Sequence, residues 1–90
     1  MPYFVYILMS ERDKRLYVGC THNVEQRLKA HQSGKVIATK QRRPLLLIHS
    51  EKFLSKTEAF TRERFLKSLW GAREKRKIFQ NYVSKIGHTL

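Results

Sequence analysis

The apolar positions along the chain fall into short runs with different periods. Tyr3 to Met9 (YFVYILM) is an aromatic and β-branched run that reads as a buried strand, and the polar SERDKR after it reads as a turn. Leu16 to Cys20 (LYVGC) makes a second short strand, and about six polar residues between the two suggest an antiparallel hairpin. Asn23 with Gln26 three residues on has the spacing of a capping box, and Gly34 is a C-terminal stop, which predicts a helix over Val24 to Ser33. GKVIATKQRRP has no clear period and reads as a loop. Pro44 then opens LLLIHS, a third strand. Ser55 with Glu58 forms a second capping box and starts a helix to about Trp70, ended by Gly71. A last helix from about Arg73 to Ile86 carries Phe79, Tyr82, Val83 and Ile86 at i, i+3, i+4 and i+7, with Gly87 as its stop.

The order β-β-α-β-α-α predicts an α+β fold, a three-stranded antiparallel sheet flanked by three helices. Residues 1–86 read as a single domain and 87–90 as a short tail. Ninety residues support one core, burying roughly 60–65% of the unfolded surface. No apolar run approaches the ~20 residues that span a bilayer, and MPYFVYILMS lacks the basic start and cleavage site of a secretory signal. The expectation is a cytoplasmic location with no membrane partner. Cys20 is the single cysteine, and neither it nor His22, His31, His49 and His88 forms a zinc-ligand pattern.

Three polar side chains interrupt this simple patterning. On the first predicted helix Val24, Arg27, Leu28 and His31 share one stripe, and on the second Glu63 lies in the stripe of Ala59, Leu66 and Trp70. Long polar residues often border an apolar face with their tips in water, and spacing alone favours a core-edge ion pair for Glu63, with Arg27 as its partner. Tyr6 and Tyr17 each fall in one strand of the hairpin, where a tyrosine ordinarily fills core. Gly19 inside a strand pattern marks a bulge or a close approach by another group.

Taken in order, VYIL (Val5 to Leu8), YVG (Tyr17 to Gly19), Thr21, Arg27 and His31, followed by EAFTRERFLK (Glu58 to Lys67), resemble the motifs of the GIY-YIG endonuclease superfamily in its small stand-alone branch. The first motif reads VYI in place of GIY, keeping the tyrosine, and YVG differs from YIG by one methylene. The resemblance implies hydrolysis of DNA phosphodiesters with one divalent cation, Mg2+ or Mn2+, held by Glu63. It implies Tyr17 as general base for the attacking water, Arg27 on the scissile phosphate, Tyr6 and His31 as orienting or assisting groups, and Gly19 as a structural neighbour of the site.

These roles are chemically coherent. A hard cation needs only a carboxylate, a phosphate oxygen and waters, and it supplies most of the charge stabilisation that phosphoryl chemistry requires. Arg27 offers the planar fork suited to a phosphate. A phenol of ordinary pKa near 10 is ionised to only about one part in a thousand at neutral pH, so a tyrosine base needs cations beside it. Related repair nucleases carry a lysine directly after the YIG motif; this chain has Cys20 there, which reads as a small half-buried residue.

Lys and Arg outnumber Asp and Glu by 19 to 7, a formal charge of +12 on 10.8 kDa, and this field calls for a polyanion. Nucleic acid is the expected partner, DNA before RNA, with a protein partner as a further option. Lys14, Arg15, Lys40, Arg42 and Arg43 are the candidate backbone contacts, and the basic run Arg73 to Lys77 joins them. Two other readings stand beside a metal-dependent nuclease: a non-catalytic nucleic-acid-binding domain that keeps the fold and basic surface, and an adaptor whose charge serves an acidic protein.

Overall fold

A computed structural model describes residues 1–87. Strand β1 (Tyr3–Ser10) lies between β2 (Leu16–Thr21) and β3 (Leu45–Phe53), and both neighbours pair with it antiparallel. Helix α1 (Val24–Gln32) covers one face of this sheet, while α2 (Lys56–Lys67) and α3 (Ala72–Gly87) cover the other. The α+β architecture and its β-β-α-β-α-α order are those the sequence predicts. The expected tail begins at Gly87, where α3 still runs, and its remaining residues 88–90 lie outside the described part.

The position of β1 follows from its composition. A strand apolar at consecutive positions has two faces to bury, so it belongs in the middle of the sheet. Val5 and Ile7 pack with Val18, Ala59, Leu66 and Ile78 on the α2/α3 side, whereas Tyr6 and Leu8 pack with Leu45, Tyr17, Leu28 and Leu47 on the α1 side. β3 is longer than LLLIHS. It continues through Phe53 because a register irregularity, with Ile7 opposite His49 but Leu8 opposite Leu47, keeps His49, Glu51 and Phe53 paired with β1.

Both capping boxes are formed on one side: Asn23 Oδ1 accepts the Gln26 N–H at 3.0 Å and Ser55 Oγ accepts the Glu58 N–H at 3.3 Å. The end of α2 differs from expectation. Ser68 leaves the helix in an extended conformation, its hydroxyl donates to the Phe65 carbonyl at 2.6 Å, and Leu69 to Gly71 form a tight 3-10 turn. Leu69 and Trp70 are therefore 93% and 85% exposed and do not hold the helix to the sheet; Leu66 and Ala59, both fully buried, are its apolar anchors. Gly71 explains the tightness, since a side chain there would overlap the Phe65 carbonyl and the Leu66 backbone. On α3 the expected stripe is likewise only partly covered. Phe79 and Tyr82 are half-buried and Val83 and Ile86 about half exposed beside an apolar cavity, while the residue α3 buries in the core is Ile78, outside that stripe.

Candidate active site

Residue register puts the two tyrosines where they meet. Tyr6 stands directly across from Gly19 and Tyr17 across from Leu8, so both phenol rings project from the α1 face, with centroids 6.4 Å apart. Gly19 is required here because a methyl group at that position would overlap the Tyr6 phenol. His31, from the last turn of α1, completes the cluster: its ring lies 5.8 Å from Tyr6 and 5.1 Å from Tyr17.

His31 is completely buried and bonded at both nitrogens, to the Tyr6 hydroxyl through Nε2 at 2.9 Å and to the Thr39 hydroxyl through Nδ1 at 2.7 Å. Burial, with the Arg27 charge beside it, pushes its pKa below the ordinary histidine value, so the imidazole is neutral and carries one proton. The Arg27 guanidinium also adjoins Tyr6 and Tyr17, and a guanidinium can only donate. The arrangement that pairs every hydrogen has Arg27 facing the Tyr6 oxygen, the Tyr6 hydroxyl donating to His31 Nε2, and Nδ1–H donating to Thr39. Burial raises the Tyr6 pKa despite Arg27. Tyr6 is thus a protonated positioning group, which leaves Tyr17, half-buried at the sheet edge, as the more accessible phenol. Arg27 itself is exposed and lines an open cleft with Thr21, Asn23 and Gln26.

Glu63 arrives from α2, around the edge strand β2. Its carboxylate raises the pKa of the Cys20 thiol, second to burial, and it also acts on Tyr6. Its ion-pair partner is Lys67 at 3.0 Å, one helical turn on, and not Arg27. Lys67 Nζ in turn lies 6.0 Å from the Tyr17 ring centre. A cation therefore reaches Tyr17 from α2 although Cys20 occupies the position after YVG. The Cys20 thiol stays protonated, as a half-buried packing residue would.

Tyr6, Tyr17, Arg27, His31 and Glu63 are thus gathered at one edge of the sheet from β1, β2, α1 and α2. The remaining candidates divide. Lys14, Arg15 and Arg42 line one basic groove, whereas Arg43, exposed, folds back along the surface, its guanidinium donating to the Lys40 carbonyl at 3.0 Å and the Gln32 carbonyl at 3.4 Å. Arg43 ties the loop to the end of α1, and Lys40 begins the short 3-10 turn Lys40–Arg42. Two neighbours of the site escape sequence reading. Thr39 sits in a stretch without a period and has no local signature; Lys67 carries one signal, its place four residues after Glu63.

The donor set for a metal is small. Among the described residues no three His, Cys, Asp or Glu side chains are placed to hold a metal ion together, and Glu63, 21% exposed, is the carboxylate of the cluster. That suits a hard divalent ion anchored by one carboxylate and completed by water and substrate oxygens, not one held in a protein cage. Residues 2–77 match the family model described as the GIY-YIG catalytic domain. The chain belongs to the GIY-YIG family.

Similar members include a UPF0213 protein of Natronomonas pharaonis, 42% identical over 77 residues, covering 84% of this chain and 89% of that one. A UPF0213 protein of Staphylococcus haemolyticus is 45% identical over 67 residues, covering 73% and 80%. The solution NMR structure of a UPF0213 protein from Bacillus halodurans superposes with a TM-score of 0.56 at 37% identity, covering 89% of this chain and 84% of that one. GIY-YIG membership supports a nuclease-type function and, in general terms, a nucleic-acid substrate. No helix among the described residues is long and apolar enough to cross a membrane.

Proposed function

We propose that the protein is a divalent-metal-dependent endonuclease that hydrolyses phosphodiester bonds, with DNA as the first expected substrate. The observation that carries this reading is the convergence of two phenols, a guanidinium, a neutral imidazole and a carboxylate from four elements at one sheet edge. Arg27 holds the scissile phosphate, because it is an exposed residue whose guanidinium is flanked by phenol hydroxyls that leave its charge uncompensated. Tyr6, pinned by His31, which Thr39 holds in turn, keeps that guanidinium in place. Tyr17 takes the proton of the attacking water, with the Arg27 guanidinium beside it and Lys67 Nζ over its ring. Glu63 would hold one Mg2+ or Mn2+. When bound, that ion supplies Lewis-acid polarisation and neutralises charge on the phosphoryl oxygens.

Glu63→Gln tests the assignment. The variant should lose metal-stimulated cleavage of branched, single-stranded and duplex DNA, lose the magnesium or manganese heat signal in titration calorimetry, and keep salt-sensitive DNA binding. Cleavage that survives in Glu63→Gln would show that the metal anchor lies elsewhere. One observation favours the alternative of a non-catalytic nucleic-acid-binding domain: the Glu63 carboxylate is already neutralised by Lys67. Binding without cleavage by the parent protein on all these substrates, and on RNA, would select that reading.

A further inference from the structure

We infer that the nucleic-acid backbone leaves the site around the edge of β2 and continues into a basic groove on the opposite side of the sheet, which acts as a second phosphate-binding surface. The groove, an open channel of about 550 Å³, is lined by Lys14 and Arg15 from the β1–β2 turn, Arg42 from the loop before β3, and Lys75 and Arg76 from α3. The inference rests on the nucleic-acid part of the reading above and adds where the substrate runs.

Continuity with the site follows from strand geometry. Leu16 lines the groove and Tyr17 is the next residue of β2, so their side chains point to opposite faces of the edge strand. A phosphodiester chain at Tyr17 therefore reaches the groove by passing over the strand edge, beside Lys67. The same junction is approached from the helical side, where Ala72, five residues beyond Lys67, also lines the groove.

Charge supplies the occupant. No carboxylate lines the groove, and none of its five cations forms an ion pair among the described residues. Asp13 lies close enough for Arg15 and Arg42 to act on it, but its carboxylate accepts the Arg15 backbone N–H at 3.0 Å and stays within its own turn. Of the 19 Lys and Arg, Lys29, Lys67 and Arg62 are the ones ion-paired among the described residues, so what sets the groove apart is that five unpaired cations face one channel. Five unpaired like charges around one channel repel each other and weaken the fold, unless a polyanion is the intended neighbour. Lys14 strengthens the point. It holds φ +62, a left-handed conformation that glycine or asparagine adopts with less strain, yet the position carries a lysine, which lines both the groove and the apolar cavity beside α3.

The test places Lys75→Gln/Arg76→Gln in the Glu63→Gln background, so that binding is read without cleavage. Lys52→Gln/Lys85→Gln in the same background removes equal charge elsewhere. Fluorescence anisotropy with a labelled DNA single strand and the corresponding duplex is followed from about 50 to 200 mM salt. The groove pair should weaken binding roughly tenfold and reduce the salt slope by about one to two, at ~0.7–0.9 for each phosphate no longer neutralised, with no fall in melting temperature. The control pair should change both much less. Amide shifts of Leu16 and Ala72 in the parent on adding the strand give an independent reading that needs no variant.

Equal losses in the two pairs would reduce the groove to its share of the general field and overturn the inference, as would unmoved Leu16 and Ala72 amides. If the parent binds with the expected groove dependence but never cuts, the catalytic reading fails and the groove stands. If the parent cuts and the groove pair leaves binding unchanged, the groove fails and the catalytic reading stands.

Discussion

The two faces of the sheet each carry a polar cluster, and they are built on opposite plans. Under α2 and α3, His49 and Glu51 of β3 meet Arg62 and Glu74: His49 Nε2 lies 2.7 Å from Glu51, Arg62 donates to both Glu51 oxygens at 2.8 and 2.9 Å, and it donates to Glu74 at 3.0 Å. Every charge there has a counter-charge. Burial alone would raise the Glu51 pKa, but Arg62 and His49 outweigh it and hold the carboxyl below its ordinary value. Its bond to Glu51 likewise raises Arg62 far above the ordinary arginine range. On the α1 face Arg27 has hydroxyls for neighbours and no carboxylate in ion-pair range among the described residues. A closed cluster stitches β3, α2 and α3 together; an open one keeps a charge available for a ligand.

Substituting the central arginine of each cluster should give opposite results. Arg27→Ala is expected to lower cleavage about 10²-fold or more, the cost of losing one preorganised donor to a developing charge, while the melting temperature barely moves. Arg62→Ala leaves Glu51 and Glu74 without their common donor in a half-buried site, which should destabilise by about 2–3 kcal/mol, with cleavage per folded molecule unchanged. Denaturant melts and initial rates on the two purified variants decide it. A stability loss for Arg27→Ala equal to that of Arg62→Ala would erase the distinction between the faces.

Gly19→Ala probes how tightly the open cluster is packed. The added methyl meets a Tyr6 ring that is held at its hydroxyl by His31 and cannot swing away, so the strand pair must shift, at about 1–2 kcal/mol. The same variant should slow cleavage, since Tyr6 positions Arg27. Unchanged stability would mean that Tyr6 is free to move.

Acid should dismantle the two faces in sequence. His31 has a folded pKa below its unfolded value near 6.5, so the unfolded chain binds the extra proton first; the stability from its neutral form is complete above that pH and declines as pH falls below it. Glu51 is also lowered, from an ordinary value of 4.5, so its contribution is kept through that first decline and is lost only below about pH 4.5. His31→Gln should flatten the upper part of a melting-temperature profile and leave the lower part in place. A profile unaffected by that substitution would show that His31 is not protected from protonation.

The parts of the molecule legible in the sequence are those with local causes. Capping boxes, strand-length apolar runs and stop glycines report on neighbours a few residues away, and they locate all six main elements. The site motif is legible because Tyr6, Tyr17, Arg27, His31 and Glu63 are themselves the motif. What sequence reading misses depends on long-range placement. Thr39 lies in the segment before β3 that reads as a loop, and only the folded chain brings its hydroxyl to His31. Arg62, Glu51 and Glu74 lie on three elements and show no common spacing. Trp70 is misplaced when the helical period is extended through Ser68, where side-chain capping of the Phe65 carbonyl and the close approach of Gly71 turn the chain outward instead.

That outward turn makes Trp70→Ala the smallest expected effect and a test of the boundary between scaffold and surface. A tryptophan 85% exposed has little burial to lose, so its removal should change stability by no more than about 0.5 kcal/mol. Gly71→Ala, one residue on, pushes a methyl into backbone and should be markedly worse than Trp70→Ala, because neither the Phe65 carbonyl nor the Leu66 Cα can rotate away. The turn is thus rigid beneath and expendable on top, at the place where α2 delivers Glu63 and Lys67 to the sheet edge. If Trp70→Ala destabilised as strongly as Gly71→Ala, the indole would be packed in solution and α2 would run on as its apolar stripe first suggests.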